Sequence, residues 1–398
     1  MNIVTKFIRW FFSDRTKNDK IGLDNNLLFA TILLLTVGVV MVYSASIAYA
    51  ARDSGSGNPY YYLIRHFMAI TLGCVGGALA FSQPSSFWHK NANRILIIVI
   101  ILLAAVLIPH VGRVVNGSRR WLPVGFLNLQ PSELAKLGMA IYMANYFSGK
   151  SLKSVKFLSD VVPLLTAIVL VCGLLLMEPD MGSTTVIFLI VLTILYLSDL
   201  DVRIILGTLV AGVIAFAALV IMEPYRMKRV IGFLNPWEDA LGKGYQLSHS
   251  LLSFGHGGWF GVGLGNSIEK LYYLPEAHTD FIMAIIGEEF GMIGVVVVLA
   301  LFWVIFYRGF TVIATEAKRL PNRKFQALLA QGISAWLFAQ AVVNIGVSIG
   351  ILPTKGLTLP FVSYGGSSIL INCIAIAILL KIDYENKLIR LGSHHRDR

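Results

Sequence analysis

Hydrophobic residues gather in ten long stretches, near 27–48, 63–83, 94–110, 132–148, 160–178, 183–199, 203–222, 280–307, 327–350 and 366–382. About 20 apolar residues in helix cross the hydrocarbon core of a bilayer. The pattern therefore predicts an all-α polytopic membrane protein with about ten transmembrane helices. An even number returns both termini to one side. Polar residues fill the intervals, and one interval is unusually long, roughly 223–279. Unstructured loops of that length are uncommon and often functional. The expected organisation is a polar segment 1–26, a single transmembrane domain 27–382 and a tail 383–398. Within the first segment, Lys6-Phe7-Ile8-Arg9-Trp10-Phe11-Phe12 predicts a short helix on the membrane surface. Nothing there has the apolar core of a cleavable signal.

Composition narrows the class. The chain is 56% hydrophobic and 14% charged, whereas soluble domains carry about 25% charged residues. Soluble and disordered classes are excluded. A formal charge of +11 would suit nucleic acid, but surplus Lys and Arg in a membrane protein face the cytoplasm and anionic lipid. With the N-terminus inside, the inner segments hold 21 of the 33 basic residues, among them Lys90, Arg94, Lys150, Lys153, Lys156, Arg203, Arg308, Arg323 and Lys387. That predicts cytoplasmic termini. Two clusters break the bias: Arg113, Arg119 and Arg120 after span three, and Arg226, Lys228 and Arg229 after span seven. An anionic ligand would explain outer cations; so would lipid phosphate or loop carboxylates. Cys74, Cys172 and Cys373 each lie in an apolar run and make neither a disulfide framework nor a zinc site.

Candidate chemistry lies in the outer segments. Pro131 suits the first turn of span four, where Glu133 complements the helix dipole. Lys136, three residues on, shares its face and lies inside the bilayer, where ionisable groups usually face protein or a wet cavity. Asp180, in Glu178-Pro179-Asp180-Met181-Gly182-Ser183, is placed to cap span six. The long loop carries Tyr245, Leu247, Leu251, Leu252 and Phe254, the pattern of a short amphipathic helix at the outer interface. Its glycines, from Gly255 to Gly265, follow no βαβ unit and so predict backbone close approach or hinge movement, not a nucleotide loop. Asp280 opens span eight beside Thr279, a possible cap; it reads either as a dipole-compensating acid or as a base poised at the membrane surface. Glu288 and Glu289 lie about 12 Å deeper, off the stripe of Asp280, and are expected to make internal hydrogen bonds. His249, His256 and His278 lack metal-site spacing and read as loop residues.

Four motifs in order resemble the SEDS family (shape, elongation, division and sporulation). They are Gly117-Ser118-Arg119-Arg120-Trp121 with Gln130-Pro131-Ser132-Glu133-Leu134; Glu178-Pro179-Asp180-Met181-Gly182; Leu274 through Phe281 to Gly287-Glu288-Glu289; and Leu352-Pro353-Thr354-Lys355-Gly356 through Leu359-Pro360-Phe361-Val362-Ser363-Tyr364-Gly365-Gly366-Ser367-Ser368. Asn235-Pro236-Trp237-Glu238 and Gly265-Asn266-Ser267 are more similar to the division branch than to the elongation branch. Met181-Gly182-Ser183 departs from the commoner small residue followed by Gly-Thr. The resemblance implies a SEDS-type bundle in the inner (cytoplasmic) membrane at the division septum, and a peptidoglycan glycosyltransferase that polymerises lipid II with inversion. It implies Asp280 as catalytic base and Arg120, Glu133, Lys136, Asp180, His278 and Ser363 as substrate-binding residues. A divalent cation, Mg or Mn, is left open as a helper of the diphosphate. The partners implied are lipid II, a class B penicillin-binding transpeptidase (FtsI), and the divisome components FtsQ, FtsL, FtsB and FtsN. The competing readings are a lipid II flippase, which would place its site near the midplane between repeats, and a scaffold indifferent to Asp280. No internal repeat is visible, and the candidate residues cluster at the outer surface.

Overall fold

The computed structural model describes residues 22–53, 57–115, 117–124, 127–149, 162–198 and 200–396. Helices coincide with all ten expected spans. They are α1 Asn25–Asp53, α2 Tyr61–Ser82, α3 Ser85–Leu107, α4 Pro131–Ser148, α5 Val162–Met177, α6 Met181–Leu197, α7 Val202–Met222, α10 Ile282–Phe306, α12 Lys324–Ser348 and α13 Gly366–Arg396. Seven of these described helices, the last with its span counted to Gly392, are long and apolar enough to cross a membrane unaided. Of the other three, α5 and α6 have 16 and 17 residues, about 25 Å of helix, and α4 has 18. The chain is a multi-pass membrane protein. Side-chain caps begin several helices: Asp24 Oδ1 accepts from Leu27 N at 2.9 Å, Asp180 Oδ1 from Ser183 N at 3.0 Å, and Asp201 Oδ1 from Arg203 N at 2.9 Å. Pro131 occupies the first turn of α4 as expected.

Burial ranks the helices. α4 and α12 are the buried centre, with Met139, Ile141, Met143, Phe147, Leu329, Ile333, Trp336 and Leu337 at most 2% exposed. α7 is the opposite extreme and buries no residue; its apolar surface is matched to lipid.

Several boundaries differ from expectation. α3 begins at Ser85, so Lys90 and Arg94 lie in its first turns. α13 runs unbroken to Arg396 through the expected tail, where Glu385, Asn386, Lys387 and Arg390 bond to other elements. The segment between α3 and α4 is a three-stranded antiparallel ribbon, β1 Arg113–Val115, β2 Ser118–Val124 and β3 Leu127–Leu129, in that order. Arg113 pairs with Trp121 and Leu122 with Leu129. Strands of three to seven residues are too short to show a period-2 pattern. The long loop contains two helices, α8 Pro224–Leu234 and α9 Tyr245–Gly257. The surface helix expected over 6–12, the cations Lys150, Lys153 and Lys156, and the side chain of Arg226 lie outside the described residues.

α9 packs against the bundle. Ser250 Oγ donates to Ser348 O at 2.7 Å, and the Phe254 ring covers Gly287. The helix thus packs beside α10, and His249 and His256 are helix residues. The glycines that follow make the close approach expected of them. Val262 N and Gly263 N donate to the carbonyls of Glu288 and Glu289 at 2.9 and 3.0 Å, while Met292 N donates to Gly258 O at 2.9 Å. α10 breaks there, at Gly291 with φ 66°. A Cβ on Gly261 would stand 2.2 Å from Glu289 O, so only glycine admits this crossing.

Below α10, a π-helical stretch Tyr307–Ile313 and α11 Ala314–Arg319 continue the chain to the end of the bundle that carries Asp24. Arg308 donates there to Asp24 Oδ2 from Nε at 2.8 Å and from Nη2 at 2.5 Å. Arg323 reaches Glu385 at 3.0 Å and Lys387 reaches Asp383 at 2.6 Å. Glu385 also accepts from Ser85 N at 2.8 Å.

Candidate functional site

The site forms at the other end of the bundle, where β2, the α5–α6 turn, α8, the stretch before α10 and the segment 349–365 meet. Asp280 lies two residues before α10, not in its first turn, and the helix starts from Phe281. Thr279 is not a cap; its hydroxyl donates to Glu276 Oε2 at 2.6 Å. Segment 349–365 holds Asp280 by its backbone. Asn344 Nδ2, on α12, donates to both Asp280 O at 2.8 Å and Leu357 O at 2.6 Å. Ser363 Oγ donates to Thr279 O at 2.5 Å, and Tyr364 N donates to His278 O at 3.0 Å. Three consecutive carbonyls, 278 to 280, are therefore fixed by one segment and the helix beneath it.

The carboxylate itself is left for other work. Among the described residues none donates to it, and Gly356 packs against it closely enough that a Cβ there would lie 2.9 Å from Oδ2. Burial and the neighbouring charges of Glu276 and Asp180 push Asp280 up to about 7, against the opposing pull of Arg120 and Arg229. An acid tuned to the working pH is what proton transfer requires.

Arg120 is held by the α5–α6 turn: Nε donates to Glu178 O at 3.0 Å and Nη2 to Pro179 O at 2.5 Å. Its neighbour Arg119 has a structural task, donating to Leu107 O at 3.0 Å at the end of α3. Asp180 caps α6 with both oxygens, on Ser183 N at 3.0 Å and Ser183 Oγ at 2.8 Å. Glu178 is fully buried with neither carboxyl oxygen hydrogen-bonded. Burial first, then Asp180, raise it to about 8 against Arg120, so it is a neutral acid at pH 7.

Glu133 and Lys136 are one layer deeper. Lys136 Nζ lies 2.8 Å from Glu133 Oε2 and donates to Gln340 Oε1 at 2.8 Å. Gln340 Nε2 in turn donates to Thr358 O at 2.9 Å. The pair thus reaches the site through segment 349–365 and does not touch Asp280. His278 is buried among rings, 4.6 Å from Tyr62 and 5.8 Å from Tyr364 between centroids; burial lowers its basicity and Glu276 partly restores it. Glu288 and Glu289 make the internal bonds expected. Glu288 accepts from Ile268 N at 3.0 Å and from the Ser267 hydroxyl, and Glu289 pairs with Lys270 at 2.7 Å and Ser44 at 2.6 Å.

Sequence reasoning missed Glu276, Asn344, Glu178 and Lys355 as site residues. Lys355 Nζ donates to Thr185 Oγ1 at 2.9 Å; burial lowers it to about 8 while Asp180 raises it. Its signal was present, since it is the sole charge in the stretch Val342–Ile382 before Lys381. Among the described residues no three His, Cys, Asp or Glu stand close enough to hold a metal ion. Both Asp180 oxygens are committed to Ser183, so Asp280 is the carboxylate open to a divalent ion, which would be held there together with substrate phosphates and not in an all-protein cage.

A family model described as a cell cycle protein (FtsW, RodA and SpoVE) matches residues 25–388. The chain is 47% identical over 380 residues to the probable peptidoglycan glycosyltransferase FtsW of Burkholderia thailandensis, covering 95% of this chain and 82% of that protein. It is 49% identical over 370 residues to the protein of the same description from Nitrosomonas europaea, covering 93% and 95%. Among solved structures, a chain from work titled for the structural coordination of polymerization and crosslinking by a peptidoglycan synthase complex is similar, with TM-score 0.74 and 28% identity over 92% of this chain and 99% of that one. The rod shape determining protein RodA of Thermus thermophilus is similar at TM-score 0.66 and 27% identity over 93% and 99%.

Proposed function

The chain belongs to the FtsW, RodA and SpoVE family of cell cycle proteins, and from that premise we propose that it is a peptidoglycan glycosyltransferase polymerising lipid II during septal cell-wall synthesis. The observation that carries the reading is Asp280: a carboxyl with no hydrogen-bond donor among the described residues, fixed at its backbone, tuned to about 7 and faced by two guanidiniums. The curated names of the relatives support the activity.

In the reaction, the 4-hydroxyl of an acceptor sugar attacks the anomeric carbon of a lipid-diphosphate-linked donor. The new C–O bond forms as the hydroxyl proton passes to the Asp280 carboxylate. The bond from C1 to the diphosphate oxygen breaks, its electron pair leaves with the diphosphate, and the anomeric centre inverts. A diphosphate is a good leaving group, so the second catalytic carboxylate of glycosidases is not needed. Charge growing on it is met by Arg120, Arg229 and Lys355. Glu133 and Lys136 position segment 349–365 through Gln340, and Asp180 and Ser363 shape the surrounding backbone.

The excess of Lys and Arg at the Asp24 end supports cytoplasmic termini and an outward-facing Asp280. Partnership with a class B transpeptidase (FtsI) fits a similar chain solved in work on a peptidoglycan synthase complex; the septal partners FtsQ, FtsL, FtsB and FtsN follow from the division-branch motifs. A flippase reading would draw on the broken helix α10, but the carbonyls freed at Glu288 and Glu289 are taken by Val262 and Gly263 and are not offered to a substrate. The test is lipid II polymerisation by the purified protein with its transpeptidase. Wild type should make glycan chains and Asp280→Asn none, with lipid II binding retained. Normal polymerisation by the folded variant would make Asp280 structural. No chains from the activated wild type would leave transport or scaffolding.

A further inference from the structure

One side of the site is lined mainly by aromatic rings, with one guanidinium among them: Arg65, 4.8 Å from the Tyr61 ring centroid and hydrogen-bonded to Tyr364. Tyr49 ends α1, Tyr62 opens α2, Tyr272 and His278 precede α10, and Tyr364 precedes α13. Tyr62 lies 4.6 Å from His278 and 5.1 Å from Tyr364; Tyr49 lies 5.8 Å from His278 and 5.3 Å from Tyr272. The wall continues along α1 and α2, where Tyr43 and Tyr60 stack in parallel at 5.9 Å. Tyr272 Oη donates to Ala48 O at 2.6 Å, which fixes that ring while leaving it 38% exposed. Tyr49, Tyr62 and Tyr364 are half-buried around a buried His278.

Tyrosines at the end of a membrane bundle usually form an interfacial belt, each ring facing lipid. These rings instead pack on one another and on a histidine two residues from Asp280. The cations that act on Asp280 come from other elements, Arg120 from β2 and Arg229 from α8, while Arg65 on α2 is engaged with Tyr61 and Tyr364. Glu276 and Asp280 lie where the two sets meet, since the Glu276 charge reaches both Tyr62 and Asp280. A glycosyl transfer needs two saccharides at one base, and only the donor end carries the leaving diphosphate. Pyranose rings present C–H faces that pack on aromatic faces, and their hydroxyls meet the polar groups at the edge of such a wall.

Resting on the glycosyltransferase reading, we propose that Tyr49, Tyr62, Tyr272 and Tyr364 around His278 form a pyranose-binding platform, distinct from the cationic diphosphate site. Two saccharides share this chemistry: the acceptor disaccharide of lipid II and the sugars of the growing strand. The experiment measures binding to the full chain in lipid nanodiscs of a peptidoglycan tetrasaccharide lacking both lipid and diphosphate, and separately of lipid II. The variants are Tyr62→Leu and Tyr62→Phe, with Tyr49→Leu as the second position if Tyr62→Leu does not fold. Wild type and Tyr62→Phe should bind the tetrasaccharide alike, and the leucine variants about threefold to tenfold more weakly. Weaker lipid II binding alongside assigns the platform to the acceptor; unchanged lipid II binding assigns it to the growing strand. Equal binding by wild type and leucine variants overturns the platform, as does no binding by wild type or an equal loss in Tyr62→Phe. Polymerisation by wild type, run in parallel, tests the enzyme reading independently, because tetrasaccharide binding requires no turnover.

Discussion

At the Asp24 end of the bundle, charges are matched: Arg308 to Asp24, Arg323 to Glu385 and Lys387 to Asp383, at 2.5 to 3.0 Å. At the Asp280 end, no ion pair closes on the reactive carboxyl among the described residues, and the Glu133–Lys136 pair lies a layer deeper. Arg120 gives its hydrogen bonds to backbone carbonyls, Glu178 keeps both oxygens unbonded, and Asp280 has no donor among the described residues. Paired charges lock helices α1, α3, α10, α12 and α13 together. Unpaired charges have protonation states that respond to what arrives. The same residue types build a clamp at one end and a reactive site at the other, and hydrogen-bond closure is what separates them.

The sharpest way to break that contrast is Asp280→Asn, which should lower polymerisation by about 10²–10⁴-fold, read as glycan product per unit of folded protein with its transpeptidase. A comparable loss from the clamp end would dissolve the distinction. There, Arg308→Met leaves Asp24 buried without its ion pair and should cost about 3–5 kcal/mol of stability. Denaturation should show the drop, while the activity per folded molecule stays near wild type.

Lys355→Gln should reduce turnover about tenfold to a hundredfold with a smaller change in KM, because the charge it meets develops on the leaving diphosphate. Equal effects on binding and turnover would instead make it a simple substrate contact.

The smallest effects concern pH. If Asp280 is the base, turnover should fall with acid through a midpoint near 7, the value set by its burial and by Glu276, and Asp280→Asn should erase that limb. Stability has the opposite sign. A carboxyl whose folded pKa is raised favours the folded state while protonated, and that contribution is lost as pH rises through the folded value. Asp280→Asn should therefore melt a few degrees above wild type at pH 8 and by less at pH 5. A clamp variant such as Arg308→Met should show no such crossover near 7.

Much of this was legible in the sequence because a bilayer imposes a simple rule. Span count follows from helix length and apolarity, and Asp180 and Pro131 follow from capping. Glu288 and Glu289 were expected to bond internally, and did, with Ser267, Lys270 and Ser44. Other features left no comparable trace. The ribbon 113–129 is too short for periodicity, and α9 was readable as a helix but not as one packed beside α10. Glu133 and Lys136 were readable as a paired face, yet their distance from Asp280, bridged by Gln340 and segment 349–365, depends on how α4 meets α12.

The membrane bundle, its ten spans, the clustering of its chemistry and the family it belongs to can all be read along the chain, because apolar length, caps and short motifs are local properties. Which acid is tuned and which is tied depends instead on how the helices pack. Asp280, Glu276, Asp180 and Glu178 are similar residues in similar motifs, separated by what approaches them: Ser183 on Asp180, Thr279 on Glu276, and on Asp280 a desolvating wall and charges brought from β2, α6 and α8. Desolvation and charge fall on a group from every direction in space, and neighbours in space are chosen by packing rather than by order along the chain.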